Sequence, residues 1–133
     1  MKNTFAAYKE IAHYSPYSVE EILLAHKLLM TTLIDEAGTF RSGGVTITRG
    51  TRALHIAPPA SRVQLLIKEL LAWLQKTDIH PLMARCIFHY EFEFIHPFAD
   101  GNGRMGRLWQ TVILSKWQPI LALLPVERVV RDR

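Results

Sequence analysis

Apolar positions recur at three- and four-residue steps along most of the chain, the period of a helix that buries one face. The first stripe is Ile22, His26, Leu29 and Leu33, with Glu20, Glu21 and Lys27 between its members. Ser18 followed three residues later by Glu21 has the form of a capping box, in which hydroxyl and carboxylate satisfy free amides of a first turn, so a helix is predicted over 19–34. A second stripe, Val63, Leu66, Ile67, Leu70, Leu71 and Leu74, follows Pro58-Pro59 and a Ser61/Gln64 pair of the same form. Asp78, with Pro81 in a first-turn position, opens a third helix over 82–94, in which Met83, Ile87, Tyr90 and Phe94 share a face, and Pro97 ends it. A fourth helix is predicted over 105–117, with Leu108, Val112 and Ser115 on one side and Trp109 and Ile113 beside them, and one further turn over 120–124.

Between the first two helices the pattern changes. Val45, Thr46, Ile47 and Thr48, then residues 53–56, are β-prone runs joined by a turn containing Gly50, which predicts a small hairpin as the one β element. The fold class expected is therefore mainly α, a helical bundle carrying a β-hairpin. A chain of 133 residues that is 49% hydrophobic and 21% charged, without repeats or Gly/Ser-rich linkers, suits a single domain spanning 1–133.

Composition narrows the setting. The single cysteine, Cys86, excludes an intramolecular disulfide and is expected as a small buried hydrophobe. The densest apolar stretch, 63–74, is interrupted by Gln64, Lys68 and Glu69 and falls short of the ~20 apolar residues of a membrane span. The first ten residues lack the apolar centre of a signal peptide, so a cytoplasmic protein without membrane contact is expected. A net charge of +4 suits an anionic ligand but is too diffuse to make nucleic acid a favoured partner.

The run from Ile95 to Arg107 carries the chemistry. Gly101 and Gly103 remove side-chain bulk where a loop enters a helix, so that backbone N–H groups converge on an anion at the positive end of the helix dipole. Asn102 either adds a side-chain donor or shapes the turn, and Arg104 and Arg107 offer forked donors to phosphate oxygens. Asp100 beside such a site calls for a divalent cation, and Mg²⁺ binds through one or two carboxylates plus substrate phosphates. The bland alternative for Asp100 is a turn cap, and for the two arginines a solvated face. His96 has an ordinary pKa near neutrality and suits a general base. His89 and His96 as zinc ligands are set aside, because Pro97 follows at once and no third ligand has suitable spacing. Glu91 and Glu93 alternate with Phe92 and Phe94, should face different environments, and receive no chemistry.

His96-Pro97-Phe98-Ala99-Asp100-Gly101-Asn102-Gly103-Arg104 resembles, position for position, the His-Pro-Phe-x-Asp/Glu-Gly-Asn-Gly/Lys-Arg signature of the Fic-domain family. The likeness extends through Leu28-Leu29-Met30, Ala37-Gly38-Thr39-Phe40-Arg41, Ala57-Pro58-Pro59 and Leu71-Ala72-Trp73-Leu74. It implies a Fic-fold helical bundle with an active-site loop over 96–104 and a flap over about 45–56. It also implies a protein adenylyltransferase that moves AMP from ATP to a Ser, Thr or Tyr hydroxyl of a protein, with release of pyrophosphate. His96 would be the base, Asp100 would hold Mg²⁺, and Gly101, Asn102 and Gly103 would form the anion hole. Arg104 and Arg107 would hold the outer phosphates, Pro97 and Phe98 would fix the loop, and the flap residues Val45, Thr46, Ile47 and Thr48 would align a target segment.

Gly103, where the family's phage kinases carry Lys, favours AMP transfer; UMP or GMP transfer and a silent nucleotide- or protein-binding module are the alternatives. The chain has no Ser/Thr-x-x-x-Glu-Gly/Asn motif of the kind that inhibits many relatives. The resemblance therefore leads us to expect a core without the inhibitory segment or the last family helix after Leu124, and an antitoxin-like partner that could supply the missing Glu.

Overall fold

The computed structural model describes residues 2–49 and 52–123. Five helices and a hairpin follow one another: α1 (Lys2–Lys9), a 3-10 turn (Ile11–His13), α2 (Val19–Met30), β1 (Thr46–Arg49), β2 (Arg52–Ile56), α3 (Ala60–Lys76), α4 (Pro81–Ile95), α5 (Asn102–Trp117) and a second 3-10 turn (Pro119–Leu123). Residues 124–133, the stretch after which the last family helix is expected to be missing, lie outside the described residues.

α5 is the axis of the bundle. It is buried from Leu108 to Ser115 on every side, because α4, α2 and both 3-10 turns pack around it. A helix enclosed in this way must satisfy its polar side chains locally. Arg85 donates to Gln110 Oε1 at 2.7 Å, and Ser115 Oγ to the Val112 carbonyl at 2.8 Å. Trp109 fills the centre, with its indole N–H donating to the Pro16 carbonyl at 3.1 Å and its ring 5.5 Å from that of Tyr14.

α2 starts where its cap predicts, with the Ser18 hydroxyl accepting the Glu21 N–H at 3.3 Å, but it ends at Met30, four residues before the expected end. Thr31 leaves helical angles at ψ 133°, and Thr32 follows at a positive φ of 70°, so the chain turns away from the helix axis there. Ser61 is not a cap: α3 begins at Ala60 with Pro59 before it, so Ser61 already lies inside the first turn. Asp78 is not one either, because the His80 ring accepts the Leu82 N–H at 3.1 Å ahead of Pro81.

The stripe expected along α4 is also corrected. Met83, Tyr90 and Phe94 do share a face, but it points outward, at 57%, 69% and 44% exposed. The core takes Ala84, Phe88, Phe92 and Ile95 instead, and each phenyl ring buried there is worth about 1.5–3 kcal/mol. Cys86 sits on the outer side and is exposed, not buried. α1 was not anticipated; half of its eight residues are polar, and among the described side chains Ala7 enters the core and Tyr8 packs against it.

The hairpin is antiparallel, pairing Thr46 with Ile56, Ile47 with His55, Thr48 with Ala53 and Arg49 with Arg52, with a shift of register between Ile47 and Thr48. Such a bulge re-aims a strand locally. At its root the Ala57 N–H donates to the Val45 carbonyl at 2.9 Å.

Candidate active site

α4 ends at Ile95 and α5 starts at Asn102, so residues 96–101 bridge two helices that are packed together. His96, directly after α4, takes left-handed backbone angles (φ 50°, ψ 62°), which turn the chain out of the helix. Phe98 is then fully buried and anchors the loop to the core. Its ring stacks on the imidazole of His26, and its backbone N–H and C=O are both held by the Asn102 side chain, at 2.9 and 2.7 Å. Of the two readings of Asn102, the turn-shaping one is therefore observed: its amide is spent on the loop and is buried.

His26 supplies a second tie. The Gly38 N–H donates to Nδ1 at 3.0 Å, so Nδ1 carries no proton, and Nε2–H donates to the Asp100 carbonyl at 2.9 Å. Burial lowers its pKa in the same direction, toward the neutral ring. Sequence periodicity placed His26 in an apolar stripe and gave it no other role. The available signal was the cost of burying two polar nitrogens, which requires partners somewhere.

The loop closes one wall of an open cleft of about 500 Å³. His96, Asp100, Gly101, Asn102, Gly103, Arg104 and Arg107 all line it, together with Glu93 from α4, Met30 from the end of α2 and Leu33 from the turn after it. The seven residues singled out from the sequence are thus brought together. Pro97 and Phe98 lie buried behind the loop, and neither Val45 nor Thr46 of the hairpin lines the cleft, while the side chains of Ile47 and Thr48 lie outside the described part of the structure.

Gly101 has φ +84°, and a Cβ there would come within 2.8 Å of Met30 Sδ. Gly103 leaves room for the Arg107 guanidinium, since a Cβ would lie 3.3 Å from Nη1. The first bond of the α5 ladder runs from Met105 N–H to the Gly101 carbonyl at 2.9 Å, so the amides of Asn102, Gly103 and Arg104 precede the ladder at the positive end of the helix. Gly106 does not line the cleft; a Cβ on it would strike the His89 ring at 3.0 Å and Glu93 Oε1 at 3.2 Å, which makes it a packing glycine.

His96 Nδ1 is buried and has no hydrogen-bond partner among the described residues, which leaves Nε2 as the nitrogen available to a ligand. Burial pushes the imidazole below the ordinary histidine range; Glu93 opposes that shift, and Arg41 and His55 add to it. The ring is consequently neutral, and able to accept a proton, at pH 7. Glu93 and Glu91 do face different environments: Glu93 the cleft, Glu91 a separate apolar groove between α3 and α4. Asp100 Oδ1 accepts the Gly101 N–H at 2.7 Å, which fixes the exposed carboxylate at the cleft. Among the described residues no group of three or more His, Cys, Asp or Glu could hold a metal, so any cation here would draw most of its ligands from a substrate and water.

The free amides of a helix N-terminus, an imidazole and two guanidinium groups thus share one cleft, a donor set whose chemistry suits an anionic ligand. Residues 16–114 match the model of the Fic/DOC family. A Fic family protein from Desulfovibrio desulfuricans G20, known from its crystal structure, is 60% identical, with a TM-score of 0.90 over 98% of this chain and 40% of that one. Protein adenylyltransferase Fic of Drosophila erecta is 32% identical over 103 residues, 74% of this chain and 20% of the relative. Its counterpart in Nematostella vectensis is 33% identical over 84 residues, 61% of this chain and 18% of the relative. The chain belongs to the Fic/DOC family, and it spans about a fifth of the length of these two adenylyltransferases. No helix among the described residues is long and apolar enough to cross a membrane.

Proposed function

We propose that the chain is the core of a protein adenylyltransferase that transfers AMP from ATP to a hydroxyl side chain of a protein. The observation that carries this reading is the convergence of His96, Asp100, the N-terminus of α5, Arg104 and Arg107 on one cleft of about 500 Å³. The amides at the start of α5 hold the phosphate under attack, and the exposed Arg104 and half-buried Arg107 hold the outer phosphates. The fixed carboxylate of Asp100 fits Mg²⁺, which would neutralise phosphate charge when bound with ATP.

His96 takes the proton from the target hydroxyl, whose oxygen then forms a bond to the α-phosphorus. The bond from that phosphorus to the bridging oxygen of the β-phosphate breaks, and pyrophosphate leaves. Most of the acceleration comes from placement and charge neutralisation around the phosphates. The hairpin lies beside the end of α4, where His55 donates to the Phe94 carbonyl at 2.8 Å, and offers strand edges to which a target segment adds by main-chain pairing.

The test is incubation with Mg²⁺ and ATP labelled at either the α- or the γ-phosphorus, in the presence of a cell lysate. Adenylyl transfer labels protein from the α position alone. Label from the γ position means phosphoryl transfer, and label from neither, with ATP bound, means a silent binding module.

A further inference from the structure

Four successive carbonyls at the end of α4 are each taken by a donor from the segment that carries the hairpin. Phe94 accepts from His55 Nε2 at 2.8 Å, Ile95 from Arg41 Nη2 at 3.1 Å, His96 from Arg41 Nε at 2.6 Å, and Pro97 from the Arg41 backbone N–H at 2.9 Å. The last carbonyls of a helix have no partners within it, and a cation placed there meets the negative end of the dipole. Arg41 also faces the other way: Nη1 donates to the Gly43 carbonyl at 2.8 Å and Nη2 to that of Pro58 at 2.5 Å, at the two roots of the hairpin. Its side chain is 4% exposed, and all four of its hydrogen-bond acceptors are backbone carbonyls.

We propose that Arg41 is a positioning residue for the transfer, fastening the roots of the hairpin to the turn that carries His96. This rests on the adenylyltransferase reading. The guanidinium fork spans both sides at once: its Nε and Nη2 hold the His96 and Ile95 carbonyls, and its Nη1 and Nη2 hold those of Gly43 and Pro58. The tie matters because His96 is held at φ 50°, in a left-handed conformation unfavourable to a non-glycine residue. Its carbonyl forms the shortest of the bonds to the α4 end, so Arg41 sets the direction of that peptide and, with it, of the imidazole. The same bonds fix the distance between the strand that receives the target and the base that deprotonates it.

The test compares wild type, Arg41→Lys and Arg41→Gln by circular dichroism, ATP calorimetry, kcat and KM for α-label transfer, and NMR of the histidine Cε1–H groups. A positioning role leaves ATP affinity within about threefold and lowers kcat by ~100-fold in Arg41→Gln, the cost of misplacing a reacting group. Arg41→Lys keeps the charge without the fork and recovers part of the rate. In folded Arg41→Gln the His96 resonance shifts or broadens while that of His26 stays in place. An unmoved His96 resonance overturns the proposal, as does a loss of ATP affinity in step with kcat. Failure of both variants to fold overturns it too, because Arg41 is then a core residue only. Absence of transfer by wild type counts against the adenylyltransferase reading, and the NMR arm still decides the placement of His96.

Discussion

The imidazole of His26 lies flat on the ring of Phe98, with centroids 3.7 Å apart and planes within 6°. One residue belongs to the middle of α2 and the other to the loop between α4 and α5, so this stack ties the first half of the chain to the cleft. The hydrogen bonds of the same imidazole, one from Gly38 and one to Asp100, make it specific for histidine in its neutral form.

His26→Phe keeps the stack but leaves the half-buried Asp100 carbonyl and Gly38 amide without this partner, and should cost about 2 kcal/mol. His26→Ala also opens a cavity and should cost more, about 3–5 kcal/mol. Urea unfolding of the two variants checks the order. Equal losses would mean that the stack on Phe98 contributes nothing, and no loss in His26→Phe would mean the same of the hydrogen bonds to Asp100 and Gly38.

Gly101→Ala should lower stability by about 1–2 kcal/mol, because the residue sits at φ +84° and its new Cβ meets Met30 Sδ. ATP affinity should fall with it, since the anion nest begins there. Gly44→Ala, whose Cβ meets nothing within 4 Å, should stay within about 0.5 kcal/mol of wild type and serves as the control. Unfolding curves and ATP calorimetry separate the two positions.

The grouping of the loop residues was legible in the sequence because they are contiguous: His96, Asp100, the glycines and both arginines fall within twelve positions and meet in one cleft. The helical stripes and the Ser18 cap were legible for the same local reason. Arg41 and His26 were not, since their partners lie 55 and 74 residues away and no local period records a buried carbonyl in need of a donor. α4 failed differently. It carries two apolar stripes, and only the packing of α5 decides that Phe88 and Phe92 turn inward while Tyr90 and Phe94 turn out.

The pH dependence of transfer follows from His96. A base must be unprotonated to work, and burial lowers its pKa, so kcat should be flat near pH 7 and fall only below the ordinary histidine value of ~6.5. Glu93 favours the protonated ring, so Glu93→Gln should move the acid limb to still lower pH. A pH–kcat profile of both proteins checks this, and an upward shift in the variant would contradict it.

Tyr14 governs the alkaline side of stability. Its hydroxyl is pushed up to about 12, first by burial and then by Glu10 and Glu21. The unfolded chain loses this proton near pH 10 and the folded chain keeps it, so stability is present below ~10 and declines as pH rises toward 12. Tyr14→Phe should remove that decline. Thermal melts of the two proteins between pH 8 and 11, which parallel each other throughout, would show that Tyr14 does not carry it.

The most direct measurement is α-label transfer by His96→Ala beside wild type, with ATP affinity of both proteins measured by calorimetry. Adenylyl transfer through His96 predicts label on protein from wild type, at least ~100-fold less from the variant, and ATP binding unchanged between them, because the ring is the base and the phosphates are held by α5 and its arginines. Equal labelling by the two proteins would contradict the assignment of His96 as the base.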